Sequence, residues 1–144
     1  VDVGVRALST GVNDPTTAQD AIFHMAAVVT EMLRHDPPPL GGCWERGGPL
    51  LGPTPSHDDV VALAFDELRR SAVAHPTVAV YLLQAIDLIR QALELEGLGA
   101  RVEPLERQAD LVARGTDAVD DLLPEDRAVV RRAHERRNGV RNAT

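Results

Sequence analysis

Between Pro76 and Glu96 the apolar residues Val78, Leu82, Ile86, Ile89 and Leu93 recur at steps of three and four, with Tyr81, Ala85, Leu88 and Ala92 beside them. That period belongs to an α-helix and excludes a strand. The stripe is too wide for a helix lying on a surface. It describes one surrounded by neighbours, the centre of a bundle. Gln84 and Asp87 interrupt it, and Asp87 has Arg90, Arg6 or solvent to answer its charge. The fold is therefore expected to be all-α, a single compact bundle of about five or six helices over residues 1–144, with one long Pro/Gly-rich loop at 35–57.

The other segments agree with that centre. Val1, Val5 and Leu8 place a helix at the start of the chain. A second runs from Pro15 to Arg34, with Ala18, Ile22, Met25, Val29 and Met32 or Leu33 inward and Phe23 and Val28 widening the apolar surface. His24 lies among apolar residues and reads as a partly buried histidine. Ser56 or His57 caps a third helix, which buries Val61, Leu63, Ala64, Phe65, Leu68 and Ala72 and turns Glu67, Arg69 and Arg70 outward. Gly97 and Gly99 end the central helix. The next is expected over Arg101 to Arg114, with Val102, Leu105, Ala109 and Val112 inward and Gly115 as its stop. After a turn or short helix at 117–123, Pro124 opens a last helix on Ala128, Val129, Ala133 and Val140. The stretch 36–56 is too dense in proline and glycine for a helix. Its Cys43 and Trp44 are the distinctive side chains, and a short hairpin near Leu50–Leu51 is compatible with it. It reads either as a tolerated insertion or as a lid or partner-binding loop.

Composition narrows the chemistry. A formal net charge of -7 argues against general binding to nucleic acid or anionic membranes. All fifteen basic residues are arginine, and the single cysteine forms neither an internal disulfide nor a cysteine-rich zinc site. No run of eighteen apolar residues is present to span a bilayer. There is no glycine-rich phosphate loop, His-Glu-x-x-His or nucleophile elbow. No catalytic residue, metal ligand or cofactor is assigned, and the reading leans away from an enzyme. His57, Asp58 and Asp59 are adjacent, so capping accounts for them better than a metal does. The arginine-rich tail from Arg127 to Arg141 reads as a solvated helix with cations near its negative end. Contact with a phosphate-bearing partner or a membrane surface is the alternative.

The least generic run is Arg6-Ala7-Leu8-Ser9-Thr10-Gly11-Val12-Asn13-Asp14-Pro15-Thr16-Thr17-Ala18. Gly11 suits a helix end, Asn13 and Asp14 suit an N-cap, and Pro15 suits the first helical position. A capped helix–helix corner explains all of it. The functional alternative is a small anion or phosphate site at the helix start, drawing on Arg6, Ser9, Asn13, Asp14, Thr16 and Thr17. Asp14 opposes an anion there unless its carboxylate is engaged in the cap.

The pattern Leu8-Ser9-x-Gly11-x-Asn13-Asp14-Pro15-x-Thr17-Ala18 resembles the signature of a family of predicted bacterial membrane proteins, a domain of unknown function. Thr10 departs from it, standing where the family usually has proline. The resemblance implies a parent with several transmembrane helices near its N-terminus and a long soluble region after them. This chain would correspond to the C-terminal part of that region, soluble and cytoplasmic, and attached to the membrane only through a segment outside itself. The resemblance carries over no activity. The expected role is a non-catalytic helical module acting by self-association or on a protein partner, with no nucleic acid. A small-molecule or anion-binding domain at the Arg6–Thr17 corner is the alternative.

Overall fold

The first helix, α1 (Asp2–Ala7), is short and docks through its smallest residue. A Cβ added to Gly4 would lie 3.2 Å from Leu68 Cδ1 and 3.4 Å from Ala21 Cβ, so glycine sets how closely α1 approaches its neighbours. In this computed structural model residues 2–8, 14–36, 44–45, 48–49 and 55–141 are described. Within them follow α2 (Pro15–Arg34), α3 (His57–Ala72), α4 (Pro76–Leu95), α5 (Glu103–Asp117) and α6 (Pro124–Arg141), with a single 3-10 turn at Gly99–Arg101. Two-residue strands β1 (Trp44–Glu45) and β2 (Gly48–Pro49) pair antiparallel, Trp44 opposite Pro49 and Glu45 opposite Gly48. The hairpin expected at Leu50–Leu51 and the helix end expected at Gly11 lie outside the described residues. The architecture is the all-α bundle that the periodicity required.

α4 is the hub, packed against α2, α3, α5 and α6. Its five stripe residues, Val78, Leu82, Ile86, Ile89 and Leu93, are all buried, and Ala79, Leu83 and Ala85 join them. α2 runs alongside in the same direction. Phe23 and Tyr81 meet near their starts with ring centroids 6.5 Å apart, and Arg34 forks onto Glu96 at their ends. Arg101 donates from Nη1 to the Leu33 carbonyl at 2.7 Å and from Nη2 to Asp36 at 2.6 Å. It thereby satisfies a free carbonyl at the negative end of α2.

Several details differ from the sequence reading. The inward stripe of α2 is Ala18, Ile22, Ala26, Val29 and Leu33, with Met25 partly buried and Met32 half exposed. The small Ala26, not the methionine, meets the core. Leu63 of α3 is 81 % exposed, while Arg69 folds inward against α5. Helix α5 does not stop at Gly115 but continues to Asp117, because Gly115 is a contact residue. A Cβ there would fall 2.8 Å from Val73 Cγ1. In α6 Val130 enters the core in place of Val129, which is exposed, while Ala133 packs against the core as expected and the side chain of Val140 lies outside those described. Leu88 and His24 are exposed as well.

Candidate functional site

The corner before α2 is built around one carboxylate. Asp14 is the extended N-cap residue, and its N–H donates to the Ala7 carbonyl at 2.7 Å, tying the corner to the end of α1. Its Oδ1 accepts from the backbone N–H groups of Thr16 (3.1 Å) and Thr17 (3.2 Å), and its Oδ2 accepts from the Thr17 hydroxyl (2.5 Å). The Thr17 hydroxyl above all, then the Thr17 and Thr16 amides, holds the Asp14 carboxyl below its ordinary value. Arg6 pairs instead with Asp2 one turn back, at 3.0 Å, both side chains exposed. The structure thus brings Asp14, Thr16 and Thr17 together and engages Arg6 elsewhere. Ser9 and Asn13 lie outside the described residues. The arrangement directs two N–H groups of the helix start onto an internal carboxylate, which is the chemistry of a cap.

The second acidic cluster resolves in the same way. Ser56 and Asp59 form a reciprocal capping box, Ser56 accepting from the Asp59 N–H and Asp59 from the Ser56 N–H. Asp58 points to Arg107 at 3.4 Å, and the His57 ring Nε2–H donates to the His35 carbonyl at 3.1 Å. The three side chains diverge. No group of three or more metal-ligating side chains forms among the described residues.

Polar contacts that the sequence reading missed join the helices. Gln108, buried on α5, donates to Asp66 at 2.7 Å and accepts from Arg69 at 3.0 Å. The Gln108 amide, foremost, lowers the Asp66 carboxyl from its ordinary value. Along the other side of α5, Glu106, Asp110 and Asp117 meet Arg137, His134 and Arg131 of α6. Arg127 adds bonds to the carbonyls of Val119 and Asp120. The arginine-rich tail is therefore not simply solvated, since its Arg137 is 5 % exposed. The signal was in the sequence: acids at spacings of four and seven, answered by arginine and histidine at spacings of three.

The most open apolar surface lies between α1 and α2. Val3, Thr17, Asp20, Ala21, His24, Met25 and Val28 line a cleft of about 570 Å³. Val3 and Val28 are 62 % and 58 % exposed, and Met32 extends the same side of α2 by one turn. Asp20 is the carboxylate within the cleft, and α1 carries the exposed Asp2–Arg6 pair. No described helix is long and apolar enough to cross a membrane.

Comparison with known proteins places this architecture. A family model described as "Predicted membrane protein (DUF2254)" matches residues 1–87, which span α1, α2, α3 and the first half of α4. An uncharacterized protein of Mycobacterium bovis and two of Mycobacterium tuberculosis are each similar to this chain at 33 % identity over 93 residues. The match covers 63 % of the chain and 18 % of each relative, so the chain spans about a fifth of the length of the curated relatives it matches. No solved structure matches.

Proposed function

Since this chain belongs to the family of predicted membrane proteins whose model covers residues 1–87, we propose that it is a helical module lying outside the bilayer in a membrane-anchored parent, C-terminal to the anchor, and that it acts by association with a second copy of itself. The observation that carries the reading is the α1–α2 face, where Val3, Met25, Val28 and Met32 form an apolar run beside a cleft. Large side chains left exposed side by side, rather than singly, mark an association surface. Asp20 of α2 lines the cleft, and Arg6 of α1, ion-paired with Asp2, lies three residues on from the cleft residue Val3. A two-fold arrangement brings such opposite signs together, and closed two-fold dimers are the commonest homo-oligomers.

Light scattering over a dilution series of the chain and of Val28→Glu tests it. Val28 is exposed, so the variant keeps its fold, which circular dichroism checks. A concentration-dependent dimer that Val28→Glu converts to monomer supports the proposal. A monomer at every concentration, or a dimer indifferent to the substitution, overturns it and leaves the face to a different protein partner.

A further inference from the structure

We propose that α6 is a detachable latch, held on α5 by a ladder of charges and able to open as a unit while α2 and α4 stay folded. Burial is what distinguishes it. α2 places five apolar residues in the core and α4 eight, whereas among its described side chains α6 places one, Val130, with Ala133 partly buried beside it. What holds α6 instead is an antiparallel series of polar rungs. Arg137 forks onto Glu106, and His134 Nε2 meets Asp110 at 2.8 Å. Arg131 meets Asp117 at 2.9 Å, and Arg127 reaches the carbonyl of Val119 at 2.6 Å.

The rungs are graded along the helix. Arg131 and Asp117 are 56 % and 43 % exposed, so salt screens that pair, while Arg137 is almost wholly covered and acts as the anchor. α6 also lies along α4, but an element whose described side chains bury little apolar surface and which several polar rungs hold is drawn from the low-stability end of a protein and opens before the core does. On the α4 side the latch leaves a cleft of about 240 Å³, in which Ala133, Arg136 and Arg137 face Leu83, Gln84 and Asp87. Opening uncovers an acidic ladder on α5 and apolar Leu83 on α4, and frees a cationic helix. Of these, Leu83 and most of Glu106 are covered in the closed state, whereas Asp110 and Asp117 are already partly exposed there.

Hydrogen exchange read by mass spectrometry on the chain, at one pH and with and without about 1 M salt, tests the latch. Asp110→Asn with Asp117→Asn removes the two exposed carboxylates of the ladder without touching the core. Peptides from 124–141 are expected to exchange about tenfold faster in the double variant than in wild type. Salt should move wild type in the same direction, while peptides from α2 and α4 keep their protection. Unchanged exchange in α6 would overturn the proposal. So would acceleration of all the helices together, because α6 would then open only with the whole bundle.

Discussion

Single side chains in this protein act mostly on helix ends and close contacts. Ser56 accepts the Asp59 amide at 3.1 Å as half of a capping box. Ser56→Ala should lower stability by about 1 kcal/mol, measured by thermal or denaturant unfolding. Asp14 and Asp59 have carboxyls held below their ordinary value of 3.8 by hydroxyl and amide donors, those of Thr17 and Ser56 respectively. A depressed folded pKa means the folded state binds fewer protons. The stabilisation is fully present above 3.8 and is lost as pH falls through the lower folded value. Thermal midpoints of Asp14→Asn, which keeps a capping oxygen but no charge, should therefore fall less steeply below pH 3.8 than those of wild type. Gly115 opposes two effects. Alanine gains up to about 1 kcal/mol of helix propensity, but its Cβ would sit 2.8 Å from Val73 Cγ1. A β-branched neighbour yields poorly, so Gly115→Ala should lose about 1 kcal/mol net. Val73→Ala alongside it should recover part of that loss. A glycine that packs rather than ends a helix cannot be told from a stop signal in one sequence, and this is why Gly115 misled the reading.

At the scale of the helices, the sequence reported faces more faithfully than frames. The α4 stripe, the start of α2 at Pro15 and the start of α6 at Pro124 stand where periodicity and proline put them. Errors arose where a face is crowded with apolar residues and only the neighbour decides which one enters. Ala26 displaced Met25, and Val130 displaced Val129. Leu63 and Leu68 show the consequence in α3. Leu68→Ala should cost about 2–5 kcal/mol, and Leu63→Gln should stay within about 0.5 kcal/mol, by denaturant unfolding. Inter-helix polar contacts were harder to foresee, since Gln108, Asp66 and Arg69 are far apart in sequence and meet only when α3 and α5 pack. Removing the amide by Gln108→Ala should raise the Asp66 carboxyl back toward 3.8, visible in a carbon-13 carboxyl titration.

At the scale of the whole molecule, the corner at Asp14 forms a cap, and the face beside it is the proposed association surface. The residue types around Thr16 and Thr17 serve both a cap and an anion site, and only geometry showed the carboxylate of Asp14 occupying their amides. The resemblance carried by this corner gave the family, which the match over residues 1–87 establishes. The proposed association face was legible only in part: Val28 was read as widening the apolar surface of α2, but that Val3 and the partly buried Met25 border the same cleft depends on how α1 docks beside α2, which no local pattern states. The most direct test of self-association through this face is sedimentation equilibrium of four chains: wild type, Arg6→Asp, Asp20→Arg and the double swap. The account predicts a dimer that each single reversal weakens about tenfold and the double swap restores, because opposite charges face one another again across the two-fold. A wild type that sediments as a monomer, or single reversals that leave its dimer unchanged, would contradict it.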